Sequence, residues 1–143
     1  MLHYVDFNGL EVGDSLPSLT KDPITKVQLV RYAGASGDFN PLHTDDSVAQ
    51  KGGLTGVIAQ GILIMGFMGQ AISGWVKTRD LKRFKVRFMG MTYPGDVITV
   101  KAVVKEKKES DEELFVICDT LAEDQNGKTK VSGEFEVLAR TGV

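Results

Sequence analysis

The sequence predicts an α+β domain in which an antiparallel sheet curves around one apolar helix. The stretch from Ile58 to Trp75 is rich in large apolar residues and carries no charge, which indicates a buried helix. From Leu81 onward, apolar residues recur at every second position, as in strands with one buried face. Strands that follow a helix, without strict alternation of the two, favour the α+β class.

Short elements precede the central helix. Two prolines predict an extended segment near residues 15–24. Thr25 has the character of an N-cap, and the glycines at 34 and 37 should end the short helix that it begins. A tight turn is expected at residues 38–41, and Asp45-Asp46 should cap a further short helix through Ala49.

Four strands are predicted to follow as a meander, near residues 81–88, 97–104, 114–122 and 128–137. A charged turn is expected at residues 107–113, and Asn126-Gly127 predicts a two-residue hairpin. The extended segment before the helix would supply a fifth strand. Because one such sheet cannot cover the helix on every side, we expect two sheets to pair edge to edge in a homodimer, with a higher oligomer or a heterodimer as the alternatives.

Composition narrows the function classes. The 143 residues suit a single domain, residues 1–143, and the formal charge of −2 gives no field that favours nucleic acid. The lone Cys118 cannot form an intrachain disulfide, and residues 1–6 lack the basic stretch followed by an apolar run that is typical of an export signal. We therefore expect a reducing, cytoplasmic compartment. The uncharged passage at residues 52–76 is interrupted by seven glycines, which predicts a buried helix and no membrane association.

The chain has two histidines, His3 and His43, and only the second follows an acidic residue across a tight turn. Asp38 precedes His43 by five residues, so the two side chains can converge on one pocket. Together they could exchange a proton with a water molecule, because histidine titrates near neutrality. Alternatively, Asp38 closes the turn through an Asx-type bond and His43 is an ordinary surface or core residue.

Three sequence blocks resemble one family. The stretch YAGASGDFNPLH resembles the signature of the MaoC-like, or (R)-specific enoyl-CoA hydratase, family. AQGIL and YPGD resemble two further blocks in the correct order. The chain is also similar to subunits of (3R)-hydroxyacyl-carrier-protein dehydratases. The positions that carry the match are Tyr32, Ser36-Gly37-Asp38, Asn40-Pro41, His43, Ala59–Leu63 and Tyr93–Asp96.

The resemblance implies a hot-dog fold and reversible hydration of trans-2-enoyl thioesters to (R)-3-hydroxyacyl thioesters. Asp38 and His43 would activate the water, and the backbone N–H of Gly61 would bind the thioester oxygen. Asn40 would orient the loop or contact the substrate. Coenzyme A or acyl carrier protein would enter with the substrate, and no metal, nucleotide or flavin is implied.

Several alternatives stay open at this point. Gly61 equally suits close helix packing, and Asn40 equally suits an Asx turn. Gln60 stands where many family members have histidine, which we interpret as a difference in supporting contacts or in dimer contacts and not as a loss of activity. Arg83, Lys85 and Arg87 suit the phosphates of coenzyme A or an acidic carrier, or a solvated strand face. A thioesterase and a non-catalytic, acyl-thioester-binding subunit of a heterodimer are the alternative functions.

Overall fold

A computed structural model describes residues 4–140, so His3 and residues 141–143 lie outside the described part. Within these residues, three α-helices and five strands form the domain, with short 3-10 turns between them. The helices are α1 (Lys26–Ser36), α2 (Asp46–Lys51) and α3 (Gly61–Trp75). The strands are β1 (Leu19–Thr20), β2 (Leu81–Phe88), β3 (Thr99–Ser110), β4 (Glu113–Glu123) and β5 (Thr129–Ala139).

The five strands form one antiparallel sheet in the order β1-β3-β4-β5-β2. The predicted meander is correct for β3, β4 and β5 but wrong for β2, which pairs with β5 on the far side of the sheet. The segment after β2 explains the difference. It passes the start of α3, where Thr92 O accepts from Ala59 N at 2.8 Å, and Asp96 O accepts from Ile24 N at 3.0 Å. The chain thus re-enters the sheet at the opposite side.

Two predicted turns are wrong in detail. The region expected to be a charged turn at 107–113 is mostly strand, because β3 runs to Ser110 and only Asp111 and Glu112 turn, with φ of 52° and 63°. The Asn126-Gly127 hairpin is longer than two residues. Asp124 Oδ1 accepts from the N–H groups of Asn126 and Lys128 at 2.9 and 3.0 Å, which closes a wider loop around Gly127.

The core lies between α3 and the concave face of the sheet. α3 begins at Gly61, three residues later than predicted, because residues 58 and 59 are held extended by other segments. Ile58 N donates to Leu42 O at 3.1 Å, and Ala59 N donates to Thr92 O. The helix residues packed in the core are Leu63, Ile64, Phe67, Met68, Ala71, Ile72 and Trp75.

One face of α3 is not covered. Ile62, Gly66, Gln70 and Ser73 recur every three or four residues and are exposed. The expectation of a helix buried on nearly all sides therefore holds only for the side that faces the sheet. Among the described residues, no helix has the length and apolar character needed to cross a membrane.

Candidate active site

The loop after α1 carries the first candidate residue. Thr25 caps the start of α1 by accepting from Gln28 N at 3.1 Å, as predicted. Gly37 ends the helix with φ of 77°, a left-handed conformation that favours glycine. Asp38 follows directly, and its N–H donates to Ser36 Oγ at 3.1 Å. The helix end therefore fixes where the Asp38 side chain leaves the backbone.

Asn40 and Pro41 turn the chain toward His43. Asn40 Oδ1 accepts from Leu42 N at 3.1 Å and caps the 3-10 turn Pro41–His43. The Asx-turn reading of Asn40 is therefore the one seen in the structure, and a contact with substrate stays a prediction. Asp38 Oδ1 accepts weakly from Asn40 N at 3.3 Å, which leaves Oδ2 free to face His43.

Asp38 and His43 converge, as their spacing allows. Asp38 Oδ2 lies 3.5 Å from His43 Nε2, too far for a strong direct hydrogen bond and close enough for one water to touch both. The imidazole is 11% exposed and the carboxylate 47% exposed. The pair is thus open to solvent on the side of Asp38.

A backbone carbonyl sets the tautomer of His43. His43 Nδ1 lies 2.7 Å from Ile58 O, and a carbonyl only accepts, so Nδ1 carries the hydrogen in the neutral ring. Nε2 then presents its lone pair toward Asp38 and the space between them. This is the arrangement that a general base requires.

Asp46 holds the segment that supplies this carbonyl. Its Oδ1 accepts from Val57 N at 2.9 Å, and Oδ2 forms an ion pair with Lys26. The hydrogen bonds from Lys26 and the Val57 N–H lower the pKa of Asp46, so the carboxylate is ionised near neutral pH. Asp46 therefore ties α1, α2 and Val57, the residue before Ile58, together.

Gly61 opens α3, and no side chain caps that helix start. Backbone N–H groups in the first turn lack intrahelical partners, so they can bind an oxyanion. A Cβ placed on Gly61 would meet Cδ1 and Cε1 of Phe88 at 3.0 Å. Close packing is therefore one reason for glycine here, and an oxyanion role is compatible with it.

Gln60 is 2% exposed and lies inside the molecule rather than at its surface. Its Nε2 donates to Leu29 O at 3.1 Å and joins α1 to the start of α3. Gln60 Oε1 and Thr92 Oγ1 are buried without a hydrogen-bond partner among the described residues. The expectation that Gln60 supports the site is consistent with this position.

A buried ion pair holds the chain that follows β2. Lys130 is 5% exposed, and its Nζ donates to Met91 O at 2.7 Å and lies 3.4 Å from Asp124 Oδ2. Burial alone raises the pKa of Asp124, but the N–H groups of Lys128 and Asn126 and the Lys130 ammonium outweigh it and leave that pKa lowered.

The basic residues of β2 lie away from the pair. Glu134 accepts from Arg83 at 2.7 Å and lies 3.4 Å from Lys85, while Arg87 has no ion pair within residues 4–140. Lys85 and Arg87 line a cavity of about 580 Å³ over β2–β5, which includes neither Asp38, His43 nor Gly61. A contact with coenzyme A or a carrier protein at these side chains stays a prediction.

Sequence reasoning missed the residues that support the site from a distance. The Ile58 carbonyl carries no side-chain signal, and Phe88 reads as one more alternating strand residue. The sequence around Lys130 and Asp124 indicates only charged residues near a turn, although the two side chains are buried and paired. The one signal available was the sequence Asp-x-Asn-Gly, in which an aspartate readily accepts bonds from the next residues.

Three comparisons place the chain among known proteins. Residues 9–126 match the family model described as "MaoC like domain". The chain is 32% identical over 127 residues to a peroxisomal hydratase-dehydrogenase-epimerase of Neurospora crassa, with 86% of this chain and 13% of that protein covered. It is 30% identical to enoyl-CoA hydratase 2, peroxisomal, of Arabidopsis thaliana over 71% of this chain and 31% of that protein.

A solved structure agrees with the sequence comparisons. R-hydratase PhaJ1 from Pseudomonas aeruginosa superposes with a TM-score of 0.82 at 28% identity, covering 97% of this chain and 88% of that chain. The chain spans less than a third of the two curated relatives named above. The curled five-stranded sheet around α3 is the hot-dog fold, and the chain belongs to the MaoC-like domain family.

Proposed function

We propose that this protein catalyses the reversible hydration of trans-2-enoyl thioesters to (R)-3-hydroxyacyl thioesters. The observation that carries the proposal is the 3.5 Å approach of Asp38 Oδ2 to His43 Nε2, with Nδ1 tied to a backbone carbonyl. A carboxylate and a neutral imidazole that face one gap can hold a water and accept its proton. Relatives named as hydratases support the same reaction.

The chemistry proceeds at C3 and C2 of the enoyl group. The oxygen of the water held between Asp38 and His43 bonds to C3 as one O–H bond breaks, and the pair takes that proton. The π electrons of the C2–C3 bond shift to C1–C2 as those of the carbonyl move to the thioester oxygen, which gives an enolate. The pair then returns a proton to C2, the carbonyl re-forms, and the elements of one water molecule have been added.

Gly61 is proposed to stabilise the charge that develops on the thioester oxygen. Its N–H lies in the first turn of a 15-residue helix that has no side-chain cap. A backbone donor and the positive end of the helix dipole favour an anion at this point. Asn40 is proposed to act through the turn, by keeping Asp38 and His43 on the same side of it.

No cofactor takes part in the proposed reaction. Proton transfer by Asp38 and His43, with donation from Gly61, supplies what hydration needs, and coenzyme A or acyl carrier protein enters as part of the substrate. We therefore expect protein treated with EDTA and dialysed to keep its turnover. A cytoplasmic location is proposed because the buried thiol of Cys118 has no partner for an intrachain disulfide.

We also propose that the protein is a homodimer. β2 is an edge strand of eight residues with one side unpaired, and α3 has an exposed face along the molecule. A second copy that pairs along β2 would cover both features. Light scattering during size-exclusion chromatography should give twice the mass of 15.6 kDa; a mass of 15.6 kDa would refute it.

Incubation of the purified protein with crotonyl-CoA tests the proposed reaction. The enoyl absorbance should fall and 3-hydroxybutyryl-CoA should form. Asp38→Asn and His43→Ala should each lower turnover by roughly a hundredfold or more, whereas the exposed Lys128→Met should not. Release of free coenzyme A would instead identify a thioesterase, and binding without conversion would identify a non-catalytic subunit.

A further inference from the structure

We propose that Phe88 is a substrate-positioning residue that forms the wall against which the thioester carbonyl lies at Gly61. This inference rests on the proposed hydration reaction and adds a substrate contact to it. The observation behind it is the approach of the Phe88 ring edge to Gly61, where an added Cβ would lie 3.0 Å from two ring carbons.

The ring occupies one side of the start of α3. The ring edge covers one side of the first helical turn, while Gly61 stays exposed on the other side, so a bound substrate would complete the exclusion of water there. Hydrogen bonds to a developing charge are stronger where water is excluded. Phe88 would therefore strengthen the Gly61 donor and restrict the direction from which a carbonyl can approach it.

Phe88 is unusually exposed for a large aromatic side chain that touches a candidate binding residue. It is 49% exposed, and it ends β2 at the free edge of the sheet. Ile62, next to Gly61, is 56% exposed, and Phe39, next to Asp38, is 71% exposed. Three exposed apolar side chains beside two candidate site residues, Gly61 and Asp38, suit a substrate with an apolar portion.

The backbone around Phe88 is held firmly enough to act as a wall. Phe88 lies opposite Val131 in β5, and the next two N–H groups both donate to Lys130 O, at 2.8 and 3.1 Å. Lys130 Nζ in turn binds Met91 O. The ring therefore projects from a segment fixed on both sides, so it is preorganised rather than mobile.

Steady-state hydration and ligand binding of Phe88 variants test the proposal. Phe88→Ala and Phe88→Leu are compared with wild type and with the control Tyr4→Ala. Tyr4 is a similarly exposed ring beyond the far end of α3, as the hydrogen bond from the N–H of its neighbour Val5 to Trp75 O shows. Substrates are the four-, eight- and twelve-carbon trans-2-enoyl-CoA esters. Butyryl-CoA, which cannot be hydrated, reports binding, and light scattering reports the assembly state.

We expect Phe88→Ala to lower kcat/KM about tenfold or more at every chain length, because the carbonyl at Gly61 is common to all three substrates. The kcat/KM of Phe88→Leu should lie between the values for wild type and Phe88→Ala, and that of Tyr4→Ala should match wild type. An effect that grows with chain length would make Phe88 part of the acyl channel and overturn the proposal. Less than a twofold change, or a loss explained by dissociation of the assembly, would also overturn it.

Failure of the hydratase proposal would give a different pattern. If wild type binds butyryl-CoA without hydrating any enoyl ester, the proposed reaction is overturned. In that case a Kd for butyryl-CoA about tenfold higher in Phe88→Ala than in wild type supports the Phe88 proposal, and an unchanged Kd overturns it. If wild type neither hydrates nor binds these thioesters, both proposals are overturned.

Discussion

Replacement of Lys130 by methionine tests whether a buried ion pair supports the chain beside the candidate site. Methionine keeps most of the length of the side chain and removes the ammonium that binds Met91 O at 2.7 Å and faces Asp124 Oδ2 at 3.4 Å. Both side chains are less than 10% exposed, so water cannot replace the lost partner easily.

The magnitude follows from what remains at Asp124. Removal of one member of a buried pair costs about 3–5 kcal/mol. Asp124 keeps two backbone donors, from Asn126 and Lys128, so we expect the lower end, about 3 kcal/mol in the free energy of unfolding. At about 2–8 °C per kcal/mol, the Tm should fall by roughly 10 °C.

Urea unfolding followed by Trp75 fluorescence measures this loss. Lys128→Met is the matched control, because Lys128 is exposed and its side chain has no ion pair within residues 4–140. Lys130→Met should also lower hydration of crotonyl-CoA, since Met91 precedes the Thr92 carbonyl that binds Ala59, two residues before Gly61. A stability within about 0.5 kcal/mol of Lys128→Met would refute the reasoning.

Three further predictions concern titration, packing and thiol reactivity. The lowered pKa of Asp124 means that its carboxylate stabilises the fold above about pH 4 and loses this effect as the pH falls through the lower folded-state value. The stability difference between wild type and Asp124→Asn should therefore be constant above pH 5 and shrink in acid; a constant difference down to pH 2 would contradict it. Gly61→Ala should lower the free energy of unfolding by about 1–3 kcal/mol because its methyl group meets the Phe88 ring, and adding Phe88→Ala should recover most of that loss. Simple additivity of the two changes would contradict the steric explanation. Burial, aided by the charge of Asp119, raises the pKa of Cys118 to about 12. A disulfide reagent at pH 8 should therefore label the thiol only as the protein unfolds, and rapid labelling of the folded protein would show that the reagent reaches Cys118.

Local patterns in the sequence predict local structure well. Thr25 and Asp45 cap helices, and Val131, Phe135 and Val137 alternate into the core, because these features depend on neighbours within a few residues. The approach of Asp38 to His43 is also predictable, since one tight turn joins them.

Long-range partners are not predictable in the same way. β2 pairs with β5 rather than β3 because the connecting segment bonds to Ile24, just before α1, and to Ala59, just before α3. The Ile58 carbonyl orients His43 although no side chain at that position indicates it. Phe88 and Lys130 likewise gain their roles from contacts with residues more than 25 positions away, which periodicity does not report.

The configuration of the hydration product tests the central claim most directly. In the proposed reaction, water held between Asp38 and His43 would reach only one face of C3 while the thioester oxygen is bound at Gly61. Chiral analysis of 3-hydroxybutyryl-CoA formed from crotonyl-CoA should show the (R) alcohol almost exclusively, and Asp38→Asn and His43→Ala should each lower its rate of formation by roughly a hundredfold or more. Predominantly (S) product, or a racemate formed by the wild-type protein, would contradict the account.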